Sequence, residues 1–303
     1  MSEYSIIDTK SGECKSGTLE FGSWPDHHQA LPNFLARTSL ISPSRILEVF
    51  EEGMTEIYES ESLVVSRGPG KALSMFDGSV FMSIADIHKK RIADLGCEVD
   101  ESFEFISTYY EISKNICGTN SRRSTDTYDL IEEALRRLRG TTIEIKVRVD
   151  KKNGLIYEYK HVGSLIVEFE ELRGDGERSV LIRFGKIQRF FNQVVGVTWY
   201  PRDELTMLSK KAVAKKVFFY LMSHQKINSM MLETWRAIVG SKSTSKEFKR
   251  IFSDALNVMK EMKVITSFSF QKSVEHPDKE KVVIFKPLTR VQRRLELNLE
   301  RDT

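Results

Sequence analysis

The apolar positions of this chain follow two rhythms. In KEFKRIFSDALNVMKEMK (246–263), Phe248, Ile251, Phe252, Ala255, Met259 and Met262 recur every three or four residues, the stripe of an amphipathic helix. The same period predicts helices over 77–91, 108–117, 121–140, 205–224 and 229–240. Gly118, Gly140 and Gly240 stop three of them, and Ser124, Thr125 or Asp126 and Ser229 are the candidate caps. LPNFLARTSLISPSRILEVF, from Leu31, reads as a helical patch broken by Pro43. The second rhythm is alternation. TTIEIKVRVD (141–150) alternates strictly, and LIYEYKHV, SLIVEFEE and SVLIRF continue it as a meander turning at 152–154 and 174–176. FEFIS (103–107) is a short strand. VITSFSFQ (264–271) and KVVIFK (281–286) predict a hairpin around the charged loop SVEHPDKE. ESLVVS (61–66) and LSMF predict another, with Gly68-Pro69-Gly70 as its turn.

Two stretches share one plan. NICGTNSRRSTDTYDLIEEALRRLRGTTIEIK (115–146) and AIVGSKSTSKEFKRIFSDALNVMKEMKVITSFSF (237–270) both run short helix, glycine, Ser/Thr/basic turn, long helix, strand. Gly118 precedes Ala134 by sixteen residues, and Gly240 precedes Ala255 by fifteen. The plan is a helix-turn-helix followed by a β-hairpin, used twice. The fold expected is therefore α+β, two tandem winged-helix domains. The first spans 31–196 and the second 197–288, between a flexible N-terminal segment (1–30) and a charged tail (289–303).

Charge separates the two copies. The chain of 303 residues has a net charge of +3. Residues 1–195 carry 25 Lys+Arg against 31 Asp+Glu, whereas 196–303 carry 21 against 12. A basic C-terminal part of this kind points to a polyanionic partner. In GSKSTSKEFKRIF (240–252), Lys242, Ser243, Thr244 and Ser245 form a turn whose hydroxyls can cap the helix and also donate to phosphate. Lys246, Lys249, Arg250, Ser253 and Asn257 lie opposite the apolar stripe, where a helix seated in the major groove presents its reading face. Lys272, with His276, Lys279 and Lys281, charges the hairpin. Lys210, Lys211, Lys215 and Lys216 on the helix before read as solvated or phosphate-steering.

Other chemistry is thin. No apolar run approaches a bilayer span, and no secretory signal opens the chain. Three cysteines, Cys14, Cys97 and Cys117, form no C-x-x-C pair, which fits a reducing cytoplasm. RGPGKA misses the phosphate-loop spacing and has Ala72 where a metal-binding hydroxyl would stand, so a plain turn is expected. Asp26-His27-His28 has no accompanying ligand cluster, and Glu132 and Glu133 face Arg136 and Arg137 at helical spacing. No catalytic residue, metal or cofactor is expected.

LPNFLARTSL, DLIEEALRRLRGTTIEI, GSLIVEF and the basic three-helix end together resemble the TrfA-type plasmid replication initiators, over roughly residues 24–288. SMFDGSVFMSIADI departs from the family in lacking a Leu-Asp-Gln start. The resemblance implies tandem winged helices, the C-terminal one binding repeated origin sites (iterons) in double-stranded DNA. The N-terminal one adds backbone contacts and dimerises. The origin then opens, and the host replicative helicase or its loader is recruited without DNA cleavage. Carried over, the recognition helix is 245–262 and its first-domain counterpart 125–139, with Arg122 and Arg123 as that domain's DNA contacts. A winged-helix transcriptional repressor is the alternative, and a nuclease docking through the same domains a more distant one.

Overall fold

The computed structural model describes residues 5–7, 14–16, 27–44, 48–59, 63–95, 104–118, 124–150, 156–173, 178–185, 197–224 and 229–287. In chain order the N-terminal part contains β1 (Ser5–Ile7), β2 (Cys14–Ser16), β3 (His28–Pro32), α1 (Asn33–Arg37) and β4 (Ile41–Ser42). Next come β5 (Val49–Phe50), β6 (Thr55–Glu59), β7 (Leu63–Arg67), β8 (Gly70–Lys71), β9 (Leu73–Ser74) and α2 (Met75–Leu95). The middle holds β10 (Glu104–Thr108), α3 (Tyr109–Cys117), α4 (Thr125–Gly140), β11 (Ile143–Asp150), β12 (Ile156–Gly163), β13 (Ile166–Arg173) and β14 (Arg178–Phe184). The last part has β15 (Val197–Pro201), α5 (Arg202–Met207), α6 (Ala212–Met222), β16 (Met230–Met231), α7 (Leu232–Val239), α8 (Ser245–Glu261), β17 (Ser267–Lys272) and β18 (Glu280–Phe285). The architecture is mixed α and β.

One plan runs through it twice. β3, α1, α2, β10, α3, α4, β13 and β14 form a first unit. β15, α5, α6, β16, α7, α8, β17 and β18 form a second with the same order of element types. In each, the short strand before the helix-turn-helix adds to the closing hairpin, giving the sheets β10-β14-β13 and β16-β18-β17. In each, the opening strand ends on a proline that begins the following short helix, Pro32 before α1 and Pro201 before α5. Proline fits there because its fixed φ suits a helix start and its missing N–H would have had no partner. These two opening strands pair antiparallel, Trp199 opposite Ala30, so the units meet about a local two-fold.

The hairpin that completes the first unit is β13–β14, whereas the sequence pattern pointed to the strands directly after α4. β11 and β12 are an insertion, and they do not continue as one meander. β11 pairs with β12 on one side and with β7 on the other, in the order β12-β11-β7-β6. That sheet consists wholly of the two segments the first unit has in excess. The sequence could not separate the sheets, since all four strands alternate alike.

Other boundaries moved for local reasons. The expected hairpin of 61–66 with LSMF does not form. β7 pairs with β6 and β11, β8 with β5, and β9 runs parallel to β4. The buried Arg67 guanidinium organises this corner, donating to the carbonyls of Gly68 at 3.2 Å and Lys71 at 2.9 Å and lying 4.1 Å from the Phe50 ring centre. The patch from Leu31 is strand, one short helix and strand. The helix expected over 205–224 breaks at 208–211 into α5 and α6, and Met231, not Ser229, precedes α7. β3 crosses the expected edge of the flexible segment at residue 30, with Gln29 and Ala30 buried.

The apolar core runs through both units. Trp235 of α7 sits 5.0 Å from Phe252 of α8 and 4.8 Å from Tyr220 of α6, ring centre to ring centre. This cluster holds the second helix-turn-helix together. In the first unit Ile131, Ala134, Leu135 and Leu138 bury the inner face of α4. Ser74 caps α2, its hydroxyl accepting from Asp77 N–H at 3.1 Å, and the fully buried Asp77 returns the bond by accepting from Ser74 N–H at 2.7 Å and takes both prongs of Arg137 at 2.9 Å.

Candidate nucleic-acid interface

The candidate surface is the outer side of α8, the turn before it and the adjoining hairpin. Gly240 ends α7 in the left-handed conformation, φ 71° and ψ 32°, the usual glycine stop. Thr244 caps α8, its hydroxyl accepting from Glu247 N–H at 3.3 Å. Phe248, Phe252, Ala255, Leu256 and Met259 are buried on the inner side, and Ile251 and Met262 only half so. The fixed inner stripe leaves Lys246, Arg250 and Asn257 exposed and Lys249 and Ser253 partly so, on the side away from the core. Thr244, Lys246, Glu247, Lys249, Arg250, Ser253 and Asp254 line one shallow open groove.

Carboxylates hold several of the candidate donors. Arg250 lies 2.7 Å from Glu247 and 3.7 Å from Asp254; Glu247 first and Asp254 after it raise the Arg250 pKa, and Arg250 in turn lowers that of Glu247. Lys249 reaches Glu280 of β18 at 2.5 Å and sits 4.9 Å from the Phe270 ring centre, which ties α8 to its hairpin. Lys242 reaches Glu48 of the first unit at 2.7 Å. Lys246 and Lys272 are exposed and without an ion pair among the described residues. Exposed pairs of this kind are worth little and exchange readily, so they leave the face competent to meet phosphate.

The hydroxyls of the turn are engaged more than the sequence implied. Ser245 donates to Glu233 at 2.5 Å, and Ser243 shares a hydrogen bond with Ser241 at 2.8 Å. Arg236 of α7 closes the turn, donating to Ser245 at 3.2 Å. Glu233 and Arg236 escaped the sequence reading because nothing in a single helical turn of α7 marks them as partners of residues ten positions on. Arg122 and Arg123 lie outside the described residues.

Lys215 and Lys216 overturn an expectation. Neither is solvated: Lys216 is 0% exposed and Lys215 6%. Lys216 donates to the carbonyls of Leu35, at 3.1 Å, and Thr38, at the C-terminal end of α1. Lys215 donates to Ser79 of α2 at 2.8 Å. Burial pushes Lys216 down to about 7 and Lys215 down to about 8. Arg37 answers from α1 with a hydrogen bond to the Ser223 carbonyl at the end of α6. Each helix thus lends a cation to the other's carbonyl end, where the helix dipole favours positive charge. These amines join the two units and take no part in the candidate surface.

Among the described residues no group of three or more His, Cys, Asp or Glu is placed to hold a metal ion. Among them, too, no helix is long and apolar enough to cross a membrane.

No protein-family model and no curated protein sequence matches the chain. Solved structures do. Two crystal structures of domains 2 and 3 of RctB, one a selenomethionine derivative, share its fold at TM-scores of 0.55 and 0.53. Both are 11% identical in sequence, and the matches cover 86% and 87% of this chain and 99% of each RctB chain. The likeness is one of fold. Both matches are to RctB, so the TrfA-type resemblance stays a reading of the sequence.

Proposed function

We propose that this chain is a replication initiator that binds origin DNA through two tandem winged-helix units, the second of which reads sequence. The observation that carries the proposal is the outer side of α8. It is a basic, solvent-facing helix held by its apolar side in a helix-turn-helix, with a charged hairpin beside it. That is the geometry by which a helix enters the major groove while flanking groups hold phosphate. RctB, whose domains 2 and 3 share the fold, is a replication initiator.

In this reading Arg250 and Asn257 contact base edges, as Arg does with guanine and Asn with adenine. Lys242, Lys246, Lys249 and Lys272 hold the backbone. The DNA carries repeated sites, and binding opens a neighbouring segment for the host helicase or its loader. The chain acts in the cytoplasm as a binding protein, with no catalytic step of its own. The deciding experiment is footprinting on the DNA flanking the gene, combined with permanganate probing. Tandem direct repeats with reactive thymines beside them support initiation. A single inverted repeat without melting supports the repressor, and metal-dependent nicking would revive an enzyme.

A further inference from the structure

The turn that opens α8 is touched by a carboxylate from the other half of the molecule. Glu48 lies 2.7 Å from the Lys242 ammonium, 194 positions away in sequence. Other acids near the turn and α8, Glu233 with Ser245 and Glu247 with Arg250, belong to the helices themselves. Glu48 alone among these comes from the first unit.

It is also a placed residue. The Ala72 N–H donates to the Glu48 carbonyl at 2.7 Å. The next two residues, Val49 and Phe50, pair with Lys71 and Gly70, and the buried Arg67 guanidinium lies against the Phe50 ring. On the other side the turn rests on the same part of the first unit. A Cβ at Gly240 would stand 3.5 Å from Ser39 Cβ and 3.5 Å from Ser42 Oγ, van der Waals contact. The charge is not isolated either: residues 48–59 hold five glutamates and no Lys or Arg.

We propose that Glu48 restrains DNA binding by occupying the place of a backbone phosphate at Lys242. The inference rests on the reading of α8 as a DNA-binding helix. A duplex approaching the turn must exchange Glu48 for phosphate on Lys242 and then lie beside the displaced carboxylate. That cost falls on every sequence alike, because phosphate is common to all of them. The first unit thereby weakens binding to every duplex by one common factor and leaves the ratio between correct and incorrect sites as it was. The effect is electrostatic between exposed groups, so salt screens it.

The test compares wild type, Glu48→Gln, Lys242→Ala and the double variant for retardation of a mixed-sequence duplex and of the footprinted site, at low and high salt. Both positions changed are exposed, and thermal melting checks that each variant folds. Glu48→Gln is expected to tighten binding of both duplexes about two- to fivefold at low salt, by the same factor on each. The gain should vanish at high salt and in the Lys242→Ala background. Unchanged binding by Glu48→Gln overturns the proposal. So does weakened binding, which would make Glu48 a residue that orients Lys242 for DNA. If wild type retards no duplex at all, it is the reading of α8 that fails.

Discussion

α4 and α8 occupy the same place in the two units, yet they face solvent with different chemistry. Each follows a short helix and a positive-φ glycine, and each buries four or five apolar side chains against the helix before it. Outward, the first half of α4 shows Asp126, Asp129, Leu130 and Glu133, where α8 shows Lys246, Glu247 and Arg250. The basic residues of α4 come late and are partly spent: Arg137 turns inward to Asp77, and Arg136 pairs with Glu132. The helices in front differ too. α2 buries Asp77, Asp86 and several serines, while α6 buries two lysines. Packing dictates the inner stripe in both copies, and the outer positions are free to diverge, so one scaffold serves two surfaces.

The largest effect should come from the buried acid of the first unit. Asp77→Ala removes the acceptor of the Ser74 N–H and leaves Arg137 only the exposed Glu133, a class of change that costs about 3–5 kcal/mol. Urea denaturation followed by far-UV circular dichroism measures it. A loss near zero would mean that Arg137 finds water, and that the first unit's inner polar network is not what separates it from the second.

The buried amine of the second unit should act with opposite sign. Lys216 has a pKa of about 7 in the folded chain against an ordinary 10.5, so between those values the unfolded chain binds the extra proton. Stability should therefore rise as pH increases through 7, the reverse of the usual alkaline loss, and Lys215 with its pKa of about 8 adds to the trend. Lys216→Met should stabilise the protein by roughly 1–4 kcal/mol below pH 7. The advantage should shrink as pH rises and the wild-type amine becomes neutral. Melting curves from pH 6 to 9 test this, and a constant difference across the range would show that Lys216 stays charged in place.

Divergence of the outer faces predicts unequal effects on DNA. Arg250→Ala should weaken binding roughly 5- to 150-fold at one base pair and relax the preference there. Arg136→Ala on α4 should leave affinity and preference as they were. A competition assay over single-base variants of the site separates base reading from phosphate contact. Equal weakening on all sequences would place Arg250 on phosphate, and a comparable loss at Arg136 would undo the contrast between the helices.

Much of this contrast was legible in the sequence. Helical periodicity placed α2, α3, α4, α7 and α8, and the matched glycines exposed the duplication. The charge split pointed to the second copy. What failed was pairing and burial over long range. Nothing local tells β12 from β13 as members of different sheets, because both alternate and pairing is decided by distant partners. Lys215 and Lys216 look like a basic surface patch; only the carbonyl ends of α1 and the Ser79 hydroxyl, over 130 residues away, give them a reason to be inside. Glu48 and Lys242 stayed unconnected for the same reason.

The smallest effect lies in the glycines that revealed the repeat. Gly118 has φ 66° and ψ −151°, a combination open in practice only to glycine. Gly240, at φ 71° and ψ 32°, sits in the left-handed region that asparagine also enters. A Cβ at either position meets nothing closer than ordinary contact, so backbone strain sets the cost. Gly118→Ala should lose about 1–3 kcal/mol and Gly240→Ala about 1–2 kcal/mol. Gly240→Asn should lose less than Gly240→Ala, while Gly118→Asn should recover nothing relative to Gly118→Ala. Thermal melting of the four variants decides it. If asparagine rescues both positions equally, the two turns are conformationally one motif. If it rescues only Gly240, the copies have diverged in the backbone of the turn as well as on the faces of their helices, and the second keeps the tighter stop that brings Lys242 and Thr244 to the mouth of α8.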